Sequence, residues 1–282
     1  ARRSGRMDHW LMNNQISDLI DIGANLTHSA FKNDFEDVVT EAVTAGLSHI
    51  ILTGTDFQSS AAASKLAQQR PSFFSSTAGF HPHVSENVTT ADFARLESLL
   101  ANPEVVAIGE TGLDFNRNYS QPEKQRQTFE THLELACTAR KPLFLHQRDA
   151  HTDFYSMLCA YREHIPGGVV HCFTDSHQAL SDYLDLGMYI GITGWVCDER
   201  RGHLLQDIVN YIPHDRLLIE TDAPYLLPRT LRPKPKSRRN EPKHLTEVLS
   251  VLAACRKEEA GWLGLTTSNN ARSLFQLDAR FQ

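Results

Sequence analysis

The sequence predicts an α/β protein that folds as one closed (β/α)8 barrel of the TIM type. Eight short apolar runs alternate with segments of helical length, and the connections between them are short. This alternation is typical of βαβ units and a parallel sheet, and eight repeats fit a barrel. The alternative is an open doubly wound sheet, which would need a glycine-rich phosphate loop after its first strand. Residues 23–26, Gly-Ala-Asn-Leu, do not supply one.

The strand predictions rest on apolar runs that end at glycine, proline or polar residues. In the first run, Asp21, Gly23 and Asn25 share one face, because strand side chains repeat every two residues. The fourth run is fully apolar up to Glu110 and is expected to break at Gly112. The predicted strands are Leu19–Asn25, His49–Gly54, Phe73–Gly79, Val105–Glu110, Pro142–His146, Gly168–Cys172, Met188–Thr193 and Arg216–Glu220.

The helix predictions rest on apolar stripes, caps and stops. Asn33 or Asp34 is the expected cap of the first helix, Thr90 with Asp92 the expected capping pair of the third, and Pro122 suits a first turn. The predicted helices are Asp34–Ala45, Ser59–Gln69, Thr90–Leu100, Pro122–Arg140, Thr152–Arg162, Ser176–Leu186, His203–Tyr211, Pro242–Arg256 and a last one from Thr266 to about Leu274.

Length and composition predict one domain, residues 19–282, preceded by an N-terminal extension or expression remnant over residues 1–18. Of the 282 residues, 41% are hydrophobic, which suffices for one large core. Residues 1–6 are charged but lack the apolar segment of a secretory signal. No apolar run approaches the roughly 18 residues of a membrane span. We therefore expect no membrane association, and no apolar stripe demands a partner, so we expect a monomer.

The cysteines and the net charge limit which cellular compartment and which partners are expected. The five cysteines are odd in number and scattered, which indicates free thiols in the reducing cytoplasm. The net charge of −6 does not favour nucleic acid, so a polyanion would need a local basic patch.

Four predicted strands end in a side chain that can bind a metal: Glu110, His146, His171 and Asp222. Sites in barrels lie at the C-terminal ends of the strands, and a carboxylate there is costly unless it is paired. Imidazole and carboxylate together suit magnesium, manganese or zinc. Asp222 could bind the metal, take a proton from the activated water, or do both.

Each of these residues also has a purely structural interpretation. A buried histidine is usually a hydrogen-bonded core residue, Glu110 could pair with a buried arginine, and Asp222 before Ala-Pro could cap a turn. Four such residues, all at strand ends and none in a strand middle, favour the metal site.

Several motifs, in order along the chain, resemble the TatD family of metal-dependent hydrolases. The resemblance begins at about residue 19 and spans nearly the whole chain; each motif alone is weak, but the series is specific. The motifs are Gly79-Phe-His-Pro-His83, Gly109-Glu-Thr-Gly-Leu-Asp114, His146-Gln-Arg148, His171-Cys-Phe-Thr174 and Glu220-Thr-Asp-Ala-Pro-Tyr-Leu226.

The resemblance implies a cytosolic deoxyribonuclease on an amidohydrolase-like barrel, with a role in DNA repair. It implies 3′–5′ exonuclease action on single-stranded DNA, with RNA as a second substrate, and a divalent cation, magnesium before manganese or zinc. The family ligands correspond to Glu110, His146 and His171, with Asp222 both metal-binding and catalytic. His83 corresponds to a family histidine near the scissile phosphate and would serve as the acid; otherwise it is a turn residue.

One departure from the family concerns a second metal. Many members carry His-x-His at the end of the first strand, where this chain has Gly23 and Asn25. Glycine offers no ligand, and an amide oxygen is a poorer ligand than imidazole for a borderline metal. We hypothesise one tightly held cation in the free enzyme. Two fully occupied metals in substrate-free crystals grown at micromolar metal would contradict this hypothesis.

A basic strip, residues 229–239, follows Asp222 and carries six cations in eleven residues. It would lie on the face of the metal site and bind phosphates, with Arg148 and residues 199–201 adding to it. The alternative is a solvated loop paired with surface acids. Aromatic residues on the same loops could stack bases, or could simply pack the rim; they are Phe80, Phe115, Tyr119, Trp195 and Tyr225.

Three functions remain open from the residues alone. The first is a phosphodiesterase, with Asp222 as base and His83 or a water as acid. The second is a hydrolase of a carbon centre, such as a lactone, an amide or an aminoacyl-tRNA ester, on the same scaffold. The third is a metal-stabilised binding module without turnover. The basic strip favours the first, because a small neutral substrate does not need it.

Overall fold

Eight parallel strands form one barrel, so the predicted fold class is confirmed. The computed structural model describes residues 16–278. Neighbours in the sheet follow chain order from first to last. The predicted extension, residues 1–18, therefore falls almost entirely outside the described residues. The strands are β1 Leu19–Ala24, β2 Leu47–Leu52, β3 Phe74–Ala78, β4 Val105–Asp114, β5 Leu143–Arg148, β6 Gly168–Val170, β7 Tyr189–Ile192 and β8 Leu217–Ile219.

The helices surround the barrel, and most begin and end within two residues of their predicted bounds. In the part of the chain that the structure describes, none is both long and apolar enough to cross a membrane. The helices are α1 Phe35–Thr44, α2 Phe57–Gln69, α3 Thr90–Leu100, α4 Pro122–Ala139, α5 His151–Tyr161, α6 His177–Asp185, α7 His203–Ile208, α8 Leu245–Arg256 and α9 Ala260–Phe275.

The cap of α3 and the start of α9 differ from the prediction. Thr89, not Thr90, caps α3, and it forms a reciprocal capping box with Asp92. Helix α9 begins at Ala260 rather than after Thr266, because the Glu259 side chain accepts the backbone N–H groups of residues 261 and 262. Gly264 argues against a helix at this point in the sequence, because glycine is unfavourable inside helices. It is needed for packing, since a Cβ there would lie 2.7 Å from Leu19 Cδ2.

Strand β4 runs on to Asp114 instead of ending at Glu110. Gly109 and Gly112 have φ angles of +144° and +146°, and a Cβ on Gly112 would lie 1.9 Å from the carbonyl oxygen of His146. Glycine therefore lets β4 and β5 stay paired beyond the ends of β3 and β6. Glu110 and His146 consequently lie inside strands, and the prediction that no site residue occupies a strand middle is wrong for these two.

The seam between β8 and β1 closes the ring. The Asp222 N–H donates to the Gly23 carbonyl at 2.8 Å, and the Asn25 N–H donates to the Ala223 carbonyl at 2.7 Å. Below these bonds, the buried Asp21 carboxyl accepts the backbone N–H of Thr221 at 3.0 Å. The seam thus fixes the backbone of Asp222 directly.

The N-terminal half of the barrel interior is apolar, and α9 closes its end. Ala271 and Phe275 of α9, together with Leu277, pack into the cluster formed by the strands. Burying each such large side chain contributes about 1.5–3 kcal/mol. The cluster residues from the strands are Ile20, Ile22, Ile51, Val106, Ala107, Phe144, Val169 and Leu218.

Candidate metal centre

The carboxylate of Glu110 lies at the centre of the polar end of the barrel. Its Oε1 lies 3.1 Å from His146 Nδ1 on β5 and 2.6 Å from His171 Nε2, just after β6. The same oxygen lies 3.4 Å from Nε2 of His81, on the turn after β3. Three of the four predicted ligands are therefore in direct contact.

The outer nitrogens of two histidines face carboxylates. His146 Nε2 lies 3.0 Å from Asp114 Oδ2, and His171 Nδ1 lies 3.0 Å from Glu220 Oε1. Such a carboxylate holds the proton on the outer nitrogen and leaves the inner nitrogen free to bind a metal. Glu220 is further held by the N–H of Cys172, at 2.8 Å.

Asp222 borders the same cavity, which has a volume of about 620 Å³ and is also lined by Glu110, His146 and His171. Its Oδ1 accepts from Asn25 Nδ2 at 3.1 Å. Asp222 has a positive φ of 54°, which turns the chain immediately after β8. All four predicted ligands thus share one cavity, and Asp222 forms part of its wall.

The charges of this group reinforce one another. Burial favours neutral Glu110, but the charge of His171 and the hydrogen bonds from His146 and His171 outweigh it and hold the Glu110 pKa well below its ordinary value. Burial also disfavours charged His171, yet Glu110 and Glu220 raise its pKa well above normal. Burial, with a smaller effect from Glu110 and Glu220, raises the pKa of Asp222 to about 8. The centre therefore favours a buried positive charge beside Glu110.

His81 is the main residue of the centre that the sequence did not single out, although it lies within a quoted motif. Ligand-type atoms of His81, Glu110 and His146 lie within 4.8 Å of one another, which suits a divalent cation. Burial lowers the pKa of His81 to about 4, against the opposing charge of Glu110, so its ring is neutral.

Asp114 and Glu220 were also missed as site residues. Asp114 follows Glu110 by four positions, and Glu220 precedes Asp222 by two. Residues an even number of positions apart lie on the same face of a strand. That spacing was the available signal. Hydrogen bonds from His146 and His83 outweigh the effect of burial and lower the pKa of Asp114.

His83, the predicted acid, lies at the cavity wall and is about one-third exposed. Its Nε2 lies 3.0 Å from Asp114 Oδ2, the oxygen that His146 also contacts. The Tyr119 ring stands edge-on to His83, with the ring centroids 4.8 Å apart.

The five predicted stacking residues divide by exposure. Tyr119 and Tyr225 are exposed, and Trp195 lines the cavity. Phe115 is partly buried against the core. Phe80 is buried, which fits the alternative that it packs the rim.

The ends of the basic strip are paired with acids. Arg229 Nη2 lies 2.9 Å from Glu199 Oε1, and Arg239 Nη2 lies 2.6 Å from Asp34 Oδ2 and 2.9 Å from Glu241 Oε1. At Arg239 the alternative of a loop paired with surface acids therefore holds, because its guanidinium anchors the strip to the start of α1.

The middle of the strip is different. Lys234, Lys236 and Arg238 are exposed and make no ion pair within residues 16–278. Arg148, on β5, lines the cavity itself. Arg232 is also exposed and forms no ion pair in the described part of the chain, so four exposed cations and one cavity cation remain available to an anionic ligand.

All five cysteines lie within the described residues and are free thiols, as the sequence predicted.

Comparisons with known proteins show which family shares this sequence and fold. The pattern that defines TatD-related DNases matches residues 20–276. The proteins named 3′-5′ ssDNA/RNA exonuclease TatD from Edwardsiella piscicida and Escherichia coli K12 are 51% and 50% identical, over 92% and 91% of this chain and 100% and 98% of their own lengths. The crystal structure of YjjV, a TatD homologue from Escherichia coli K12, is 29% identical and superimposes with a TM-score of 0.84, covering 93% of this chain and 99% of that one. The chain belongs to the TatD-related DNase family.

Proposed function

We propose that this protein is a divalent-metal-dependent 3′–5′ exonuclease that hydrolyses single-stranded DNA, with RNA as a second substrate. The observation that carries the proposal is the contact of Glu110 with His146 and His171, whose outer nitrogens both face carboxylates. The relatives that share half of its residues bear the name of this activity.

Glu110, His146 Nδ1, His171 Nε2 and Asp222 would hold the cation. The mixture of oxygen and nitrogen donors fits magnesium, manganese and zinc, and we propose magnesium. When bound, the cation supplies Lewis-acid activation of the scissile phosphate and of the attacking water.

The remaining chemistry belongs to the side chains. Asp222, held by the Asn25 amide, would accept a proton from the water. His83, oriented by Asp114 Oδ2 at 3.0 Å, would donate a proton to the leaving oxygen.

The rim would hold the strand. Lys234, Lys236 and Arg238 would neutralise phosphates outside the cavity, and Arg148 would do so at its wall. Tyr119, Tyr225 and Trp195 would stack bases without reading their sequence. Tyr119 and Tyr225 lie on loops, and Trp195 lies on the short 3₁₀ helix that follows β7.

We also propose one tightly held cation rather than two. A Cβ on Gly23 would lie only 3.0 Å from Phe144 Cζ, so a larger ligand side chain does not fit there without rearrangement. The Asn25 amide is already engaged by Asp222 and the Ala223 carbonyl. We further propose that the protein acts as a monomer in the cytoplasm, consistent with its five free thiols.

Digestion of a 5′-labelled single-stranded oligonucleotide tests the proposal, with magnesium, manganese and zinc supplied in turn. We expect products shortened from the 3′ end, full loss of activity with a chelator and recovery on adding metal. A circular single strand should resist. Intact oligonucleotide beside hydrolysis of a lactone panel would instead favour the carbon-centre hydrolase.

A further inference from the structure

We infer that His81 is not a metal ligand but a neutral donor, which gives its Nε2–H to a non-bridging oxygen of the scissile phosphate. The inference rests on the proposed function, since it names the group of the substrate that His81 contacts.

The proton position on His81 follows from its hydrogen bonds. Its Nδ1 accepts the backbone N–H of His83 at 3.0 Å and so caps the short 3₁₀ helix over Pro82–Asn87. A neutral imidazole has one lone pair and one N–H. Because the lone pair on Nδ1 is used by a donor, the proton is on Nε2, and a protonated nitrogen cannot bind a metal.

The other two histidines of the centre show the opposite arrangement. His146 and His171 face carboxylates with their outer nitrogens, so those nitrogens carry the protons and the inner ones can bind a cation. His81 faces a donor with its outer nitrogen, so its inner nitrogen must donate. Proximity alone groups His81 with Glu110 and His146, but the hydrogen-bond partners separate it from them.

The turn that carries His81 is held from several sides. The His81 N–H donates to the Thr55 carbonyl at 2.8 Å, and the Phe80 N–H donates to Nε2 of the buried His132 at 3.0 Å. A Cβ on Gly79 would lie 2.6 Å from the Gly109 Cα, so β3 and β4 are in close contact here. The ring therefore has little freedom to exchange its two nitrogens.

The Nε2–H of His81 points toward the reactive end of the cavity. It lies 3.4 Å from Glu110 Oε1, and the ring centroid lies 4.5 Å from that of His146. A phosphate oxygen beside the cation would come within reach of this donor. Preorganised donors aimed at developing phosphate charge, in a site that excludes water, typically contribute 10²–10³-fold to turnover.

Metal binding separates the two roles. Calorimetric titration with Mn²⁺ alone should give His81→Asn a Kd within about threefold of the wild type. The His146→Asn variant removes a proposed ligand. It should bind Mn²⁺ roughly 10–100-fold more weakly than the wild type, or worse, as is typical of perturbed metal sites. Equal losses in the two variants would overturn the inference.

Two conservative replacements test the donor. The Oδ1 of His81→Asn can still accept the His83 N–H but offers no group at the Nε2 position; His81→Gln places an N–H near that position but breaks the cap. With saturating metal, His81→Asn should lose roughly 10²-fold in kcat, and His81→Gln should recover much of the loss. If His81→Asn is as active as wild type, or His81→Gln is as poor as His81→Asn, His81 is not the donor.

Binding of deoxyadenosine 5′-monophosphate to the metal-loaded protein keeps the inference separate from the nuclease proposal. Its phosphate should bind His81→Asn about tenfold more weakly than wild type, whatever the oligonucleotide assay shows. Unchanged phosphate binding would overturn the role of His81, whereas wild-type protein without nuclease activity would overturn only the proposed function.

Discussion

The two ends of the barrel are built from the same strands, but one end is apolar and the other carries charged side chains. At the N-terminal end, β4 contributes Val106 and Ala107 to a dry apolar cluster that Phe275 of α9 closes. At the C-terminal end, the same strand contributes Glu110 and Asp114, which contact four histidines. A few residues along one strand therefore separate packing from chemistry.

This difference indicates how the protein tolerates a buried ionic cluster. Desolvating Glu110, His146 and His171 is expensive, and their attraction offsets that cost only when the geometry is held. The apolar cluster beneath them provides a rigid base, because close-packed interiors do not deform continuously. Changes at the two ends should consequently affect different measurements.

The largest expected effect is that of Glu110→Gln at the polar end. Gln keeps the size of the side chain but removes the charge that faces His146 and His171, so we expect oligonucleotide hydrolysis to fall by at least about 10³-fold. Melting should change less than in the apolar-end variant described next. A variant that is inactive only because it is unfolded at assay temperature would break the comparison.

At the apolar end, Phe275→Ala should cost about 3–4 kcal/mol of unfolding free energy, because it leaves a cavity under the strands. Phe275 is 3% exposed. Urea denaturation gives the cost, and Phe275→Leu is the control, with an expected loss below about 1.5 kcal/mol. Activity per folded molecule should stay within about threefold; a much larger loss would show that the two ends are not separable.

The basic strip sharpens the comparison within the polar end. Replacing both Lys236 and Arg238 by Gln should reduce the salt slope of single-strand binding by roughly 0.7 per lost phosphate contact, at unchanged melting temperature. Arg239→Gln should instead lower the melting temperature and leave the salt slope unchanged, because this arginine pairs with Asp34 and Glu241. Fluorescence anisotropy across a salt series, with melting curves of the same samples, distinguishes the two. Identical behaviour would contradict the division of the strip.

The effect of Asp21, which lies between the two ends, is confined to a window of pH. Burial raises its pKa from 3.8 to about 7. The folded protein then binds more protons than the unfolded chain between these values, so Asp21 costs stability as pH rises through this window. Relative to wild type, Asp21→Asn should gain up to about 1.4 kcal/mol per pH unit there. Urea denaturation at several pH values measures this difference in unfolding free energy, and Asp37→Asn, at an exposed position, is the control. A difference that does not change with pH would refute the raised pKa of Asp21.

The barrel could be predicted because its signals are local and repeated. Apolar runs and caps recur along the chain, and small errors in their bounds do not alter the topology. The start of α9 could not be found this way, because exposed Trp262 and Leu265 and the packed Gly264 blur the amphipathic pattern. The close packing of Gly264 depends on contacts with Leu19 of β1 and Leu249 of α8.

The site was predictable only in part, for a related reason. Glu110, His146, His171 and Asp222 follow apolar runs, and the sequence therefore indicates their position. The proton on His81 depends on one backbone N–H at 3.0 Å, and the pairing of Arg239 depends on Asp34, about two hundred positions away in the chain. Such contacts have no periodic signature.

The seam between β8 and β1 has a consequence for how activity arises during synthesis. Glu110, His146 and His171 come from consecutive central strands, but Asp222 reaches them only when the last strand bonds to the first through Gly23. A chain whose last strand has not yet bonded to the first would bring together three of the four proposed ligands and lack the fourth. Hydrogen exchange of the Asp222 and Asn25 amides, compared with release of activity in a stalled nascent chain, would test this order of events.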